Sequence, residues 1–183
     1  KEIAHSMITV SDNTSTNLLI ELFGLKEINL VIKNLGLKNT QLKRKMCDFK
    51  ARNNGLENLT TPEDMALFFN KLIKNYGKQI KPENIQNFVF NDYDLKTASL
   101  EMLKIMTEQK DLEKIPSGIY GPDILIANKP GELTGIRNDA GLIICAEGNF
   151  IISIFAEGVY DELEADAQIA LLAKKLFEYL KTI

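Results

Sequence analysis

Two kinds of hydrophobic spacing divide this chain, and the switch falls near Pro116. Before it, apolar residues recur every three to four positions, the period of a helix with one buried stripe. Ile3 to Val10 reads as the last turns of a helix, interrupted by Ser11-Asp12-Asn13-Thr14, whose short polar side chains suit a helix start. The next helix is expected to turn Leu18, Leu19, Leu22 and Phe23 inward and to end at Gly24. Lys26 to Leu35 repeats the pattern with Ile28, Val31, Ile32 and Leu35, and Gly36 stops it. Periodicity then fades from Asn39 to Leu59, a basic, asparagine-containing stretch long enough to be a functional or mobile loop. Thr60-Thr61-Pro62-Glu63 supplies a capping hydroxyl, a first-turn proline and an early acid for a helix carrying Met65, Leu67, Phe68, Phe69 and Leu72. Lys96 to Lys110 predicts one more, on Leu100, Leu103 and Met106.

Beyond Pro116 the apolar residues come in short runs. Ile124 to Ala127, Gly141 to Ala146 and Phe150 to Ala156 read as strands, with Glu147-Gly148-Asn149 as a turn between the last two. Asp161 to Leu180 predicts a long amphipathic helix with Ala165, Ile169, Leu172, Ala173, Leu176 and Leu180 on one stripe, suited to lie across a sheet. The expected fold is α+β in a single domain. A helical part occupies about residues 1–115, and an antiparallel sheet of about three strands under a closing helix occupies about 116–183.

Composition narrows the function classes. With 45% apolar and 26% charged residues and a net charge of -3, the chain reads as globular and has no electrostatic reason to take a nucleic-acid partner. No apolar run is long enough to span a bilayer. Cys47 and Cys145 are far apart in sequence, which leaves a disulfide and two buried free thiols both open. His5 is the sole histidine, and there is no CxxC or HExxH spacing, so neither a zinc site nor a Ser-His-Asp mechanism is expected. His5 reads instead as a helix-surface or packing residue. No metal or organic cofactor is expected.

Two clusters carry possible chemistry: Ser11-Asp12-Asn13 at a turn between helices, and Lys129-Pro130-Gly131 at the end of a predicted strand, followed by Gly135-Ile136-Arg137-Asn138-Asp139. Alone, the first is a helix cap and the second an ordinary turn. Order changes their weight. Ser-Asp-Asn runs into Thr14-x-Thr16-Asn17-Leu18-Leu19. Gly36-Leu37-x-x-Thr40-x-Leu42-x-Arg44 and Asn58-x-Thr60-Thr61-Pro62-x-Asp64-Met65 come next, then Lys129-x-Gly131-Glu132-Leu133 and Gly135-x-Arg137-Asn138-Asp139-Ala140-Gly141. This ordered set resembles class A β-lactamases and related penicillin-recognising serine hydrolases over essentially the whole chain.

The resemblance implies a β-lactamase/transpeptidase-like fold and a serine that attacks a cyclic amide, with a hydroxyl and an ammonium passing a proton to the departing nitrogen. Ser11 and Lys129 match the catalytic pair of that proton path. Asn13 matches the residue that binds the substrate's acylamino group. Arg137, with Lys129, matches the cations that hold the substrate carboxylate, and Thr134 is a second candidate for that load. Gly131 and the backbone N–H of Glu132 match half of an oxyanion hole. The implied substrate is a β-lactam or a cell-wall peptide, which places the parent protein by resemblance in the periplasm, the cell envelope or the secreted fraction.

Departures from the pattern set further expectations. No serine is followed three places later by lysine, so the S-x-x-K pair that carries the family nucleophile is not in these residues. With Lys1 first, the chain reads as an incomplete C-terminal portion lacking N-terminal strands and inactive alone. An exposed sheet edge would then invite a homo-oligomer. Pro130 replaces the threonine of K-T-G. In the loop, Met46 stands where the deacylating glutamate belongs and Lys50 where its asparagine partner belongs. Asp48 or Glu57 could substitute only if the loop folds differently. Such a parent would hold its acyl-enzyme, as a slow β-lactamase or nearer to a penicillin-binding D,D-peptidase; a family member that has lost catalysis is the third reading.

Overall fold

A computed structural model describes residues 1–89 and 94–182. Among them, eight helices precede the sheet: α1 (Glu2–Thr9), α2 (Asn13–Phe23), α3 (Leu25–Asn34), α4 (Phe49–Asn53), α5 (Pro62–Tyr76), α6 (Pro82–Gln86), α7 (Leu95–Thr107) and α8 (Ile115–Gly118). Three strands follow, β1 (Leu125–Leu133), β2 (Ile136–Cys145) and β3 (Gly148–Glu157), and α9 (Glu162–Leu180) closes the chain. The caps of α2 and α5 are those the sequence announces. Asp12, Thr61 and Asp161 each accept a backbone N–H in the first turn of α2, α5 and α9, and Pro62 opens α5.

The strands form an antiparallel meander in the order β1-β2-β3. Leu125 pairs with Ile144 at one end of the first hairpin and Leu133 with Ile136 at the other, across a two-residue turn in which Gly135 adopts φ +75°. Alternation along β2 feeds two cores. Ala140, Leu142 and Ile144 join Phe69, Leu72, Leu100 and Leu103 of α5 and α7 on one face. Ile143 and Cys145 join Ile115, Ile169, Ala173 and Phe177 of α8 and α9 on the other. A three-layer α/β/α arrangement follows from that one strand, which is buried on both faces and therefore reads as a near-continuous apolar run.

Several sequence expectations shift. The strands are longer than their apolar runs, so Lys129-Pro130-Gly131 lies inside β1 rather than in a turn beyond it. Proline fits because β1 is an edge strand, where a missing donor costs no ladder bond. The stripe on α9 is rotated: Asp166, Ile169, Ala170, Ala173 and Phe177 are buried, while Leu172 and Leu176 are exposed. On α2 only Ile20 is buried, and Leu18, Leu22 and Phe23 face outward; α3 buries none of its residues. Helical spacing locates a stripe but not the number of neighbours able to cover it. The short helices α6 and α8 are too brief to show a period.

Cys47 is exposed and Cys145 is buried, and both are free thiols. His5 lies on the surface of α1, its Nε2 2.7 Å from a Glu108 carboxylate oxygen. No helix among the described residues is long and apolar enough to cross a membrane.

Candidate active site

The stretch from Asn39 to Leu59 is an ordered loop with stapled ends. Gln41 and Leu59 exchange backbone hydrogen bonds of 2.8 and 3.0 Å. The buried Asp64 of α5 accepts from the Asn39 N–H and the Thr40 hydroxyl, at 2.8 and 2.7 Å. Asn58 Oδ1 accepts the N–H groups of Lys43 and Arg44, and the Arg44 guanidinium pairs with Glu57. Burial pushes the Glu57 carboxyl up, but its bonds from Arg44 and from the Asn58 amide outweigh that and hold it below the usual value. Two asparagines on the helices grip the loop from the other side. Asn29 bonds both backbone groups of Leu42, and Asn17 bonds both of Met46. The loop therefore holds Met46 at a fixed place.

Ser11 occupies the turn between α1 and α2 with φ 54°, a left-handed conformation that costs a non-glycine residue free energy and is over-represented where geometry serves function. Its neighbours hold it there. Asp12 caps α2 and donates its own N–H to Ser6 O at 3.3 Å. From β1, Lys129 extends its Nζ to 2.5 Å from Ser11 Oγ and to 2.8 Å from Pro130 O. Burial holds the Lys129 ammonium below the ordinary lysine value, with Asp139 opposing the shift. Asn13 donates from Nδ2 to Cys47 Sγ at 3.4 Å.

These groups border a cavity of about 780 Å³. Its walls include Ser11, Asn13 and Thr16 from the α1–α2 turn, Met46 from the loop, and Lys129, Pro130, Gly131 and Glu132 from β1. A further wall is Gln109, Lys110 and Asp111, which no sequence motif marks. Gln109 builds that wall: its Nε2 donates to Ile8 O at 2.8 Å and its Oε1 accepts from the Lys110 and Asp111 N–H groups at 2.9 and 3.1 Å. A second unannounced residue, Lys114, is only 1% exposed and stands behind the cavity, bonded to Asp111 and Glu132. Burial alone would lower it, but the two carboxylates outweigh that and raise its pKa. Asp139 is equally buried. It accepts from Asn128 Nδ2 and from the Ile115 N–H, all at 3.1 Å, and burial raises its pKa to about 6.

Five expected site residues, Ser11, Asn13, Lys129, Gly131 and Glu132, thus share one cavity. Two do not. Thr134 sits exposed in the hairpin turn, and Arg137 is buried against α9, donating to Leu133 O and Ile136 O at 3.0 and 2.9 Å and pairing with Glu162. The arginine turns that way because Glu162 and Asp166 offer two carboxylates beside α9. Nor does the loop supply an acid: Asp48 caps α4 and Glu57 pairs with Arg44 and Arg52, and neither borders the cavity.

Over residues 1–180 the chain matches the family described as the β-lactamase enzyme family. Among solved structures, a β-lactamase from Sphaerobacter thermophilus is 28% identical with a TM-score of 0.80, the match covering 100% of this chain and 63% of that one. A protein named PBP-A is 25% identical with a TM-score of 0.79, covering 100% of this chain and 61% of its own, and a point mutant of it has been solved as an acyl-enzyme complex with penicillin G. A class A β-lactamase from Bacteroides cellulosilyticus shares the fold at 24% identity and a TM-score of 0.74, with 100% and 64% covered. No curated protein matches the chain. The chain thus spans less than two thirds of the length of the structures it resembles.

Proposed function

The chain belongs to the β-lactamase enzyme family, and from that premise we propose that its cavity opens β-lactams through an acyl-serine intermediate whose serine comes from outside these 183 residues. The observation that carries this reading is the Lys129 to Ser11 contact at 2.5 Å on the cavity wall. Attack by the serine oxygen forms an ester and breaks the ring C–N bond. The attacking serine sheds its hydroxyl proton as the ester forms, and the departing nitrogen takes a proton from the Ser11 hydroxyl. Lys129 replaces that one, and the proton shed by the serine makes good the loss from Lys129. An ammonium whose pKa is lowered by burial gives up its proton more readily than an exposed one. Asn13 meets the acylamino side chain, and the Glu132 N–H contributes to the oxyanion hole. Substrates of this chemistry place the protein in the periplasm, the cell envelope or the secreted fraction. A homo-oligomer would pair through an outer edge of the sheet, that of β1 or of β3.

Met46 favours a second reading within the same chemistry. A thioether at that wall cannot activate water, and no carboxylate of the loop reaches the cavity, so hydrolysis of the ester is slow and the protein behaves more as a penicillin-binding D,D-peptidase. Steady-state turnover of a chromogenic cephalosporin, measured beside the fraction of protein acylated, separates the two. Sustained turnover supports a hydrolase; a single burst equal to the protein concentration supports the binding protein; absence of both leaves the family member without catalysis.

A further inference from the structure

A β-lactam carries a carboxylate beside its scissile nitrogen, and of the cations expected to hold it only Lys129 borders the cavity, where Ser11 and Pro130 O already take its donors. Arg137 is buried against Glu162, Thr134 lies in an exposed turn, and Pro130 has no hydroxyl. We propose that Lys110 is the cation that binds this carboxylate and so sets the preference for anionic substrates; the assignment rests on the acylating function proposed above.

Three observations support it. Lys110 borders the cavity. Its ammonium has no hydrogen-bond or ion-pair partner among the described residues. The base of its side chain is fixed, because its N–H donates to Thr9 O at 3.0 Å and to Gln109 Oε1 at 2.9 Å, with Gln109 itself 4% exposed. The bond to Thr9 ties the segment that follows α7 to the end of α1, two residues before Ser11.

The surrounding charges leave Lys110 the role. The other charged side chains bordering the cavity, among the described residues, are Lys129, Asp111 and Glu132. Both acids are bonded to the buried ammonium of Lys114, which offsets part of their repulsion of an anion. Lys129 already donates to Ser11 and Pro130 O, so the proton path occupies it. A lysine on a flexible stem can meet a carboxylate fixed on a strained ring or at the end of a peptide, and a charge-assisted bond of this kind is the stronger sort.

The test uses the complete protein and two probes, benzylpenicillin and its methyl ester, with acylation followed by intact mass. The readout is the ratio of acylation efficiencies, acid over ester. It is expected to fall about tenfold in Lys110→Gln, the size of one exposed charge-assisted contact, and to recover in Lys110→Arg. An unchanged ratio in Lys110→Gln overturns the assignment. If neither probe acylates the unaltered protein, the failure belongs to the proposed function and removes this inference with it. A peptide ending in D-Ala-D-Ala, supplied as free acid and as C-terminal amide, identifies the source of the carboxylate. Protection against acylation by the acid alone, weakened in Lys110→Gln, supports a peptide carboxylate as occupant, and protection by acid and amide alike counts against any carboxylate site at Lys110.

Discussion

Lys129 on β1 and Ser11 at the α1–α2 turn are 118 residues apart in sequence, yet the ammonium of one lies 2.5 Å from the hydroxyl of the other. The contact joins the sheet to the helical layer across the cavity. Neither residue makes it unaided: the serine is presented by a left-handed turn that Asp12 holds, and the lysine by an edge strand whose proline carbonyl takes a second hydrogen bond.

Breaking this pair should slow acylation without unfolding the chain, since Ser11 is exposed and Lys129 only half-buried. Ser11→Ala and Lys129→Met are each expected to lower the acylation rate by about 10² or more, the scale of a positioned proton donor. Because burial holds Lys129 below the ordinary lysine value of 10.5, the alkaline limb of the acylation rate should fall below that pH. Stopped-flow acylation from about pH 6 to 11 measures both effects, together with circular dichroism to confirm folding.

Asp139 gives stability a dependence on pH that runs opposite to that of a salt-bridged acid. Its folded pKa is raised from 3.8 to about 6, so the folded chain holds that proton where the unfolded chain has lost it. The resulting penalty is absent below the unfolded value, grows as pH rises through the interval, and is complete above about 6. Roughly two pKa units correspond to about 3 kcal/mol as an order of magnitude. The Asn128 Oδ1 beside it has no hydrogen-bond partner among the described residues, and a protonated Asp139 or an amide in its place can donate there. Urea denaturation across about pH 4 to 7 should show stability falling in the unaltered chain, and the difference from Asp139→Asn should carry that slope.

Gly118 packs α8 against α9 with no room for a side chain. A Cβ there would lie 2.0 Å from the backbone oxygen of Ala170. Gly118→Ala must push the two helices apart, opening the core that Ile115, Ile169 and Ala173 share with β2, at a cost of about 3 kcal/mol. A thermal melt should show Tm lowered by roughly 10 °C. The same change at Gly55, which meets nothing within 4 Å but has φ +80°, should cost less.

Much of the layout could be read from residues alone, because it depended on local signals. The caps at Asp12 and Thr61 and the stop at Gly24 each act within a few residues. The ordered motifs likewise brought Ser11, Asn13, Lys129, Gly131 and Glu132 to one cavity. What escaped depends on contacts between distant segments. Arg137 points to α9 because Glu162 and Asp166 are there, which a motif on β2 cannot reveal. Gln109 and Lys114 carry no pattern of their own; they matter only because Ile8 and Glu132 fold beside them. The stripe of α9 missed Phe177 and Ala170 because spacing alone does not say which of two adjacent faces meets a sheet.

Under the proposed function, the cavity acylates readily and releases its acyl group slowly, since Met46 and no acid of the loop borders it. Intact-mass spectrometry of the complete protein after a pulse of benzylpenicillin, compared with Met46→Glu, tests it most directly. The expected result is a one-to-one adduct that persists in the unaltered protein and decays about 10² times faster in Met46→Glu, where a carboxylate can activate water. A protein that never gains mass while the penicillin remains intact would rule out acylation at this cavity.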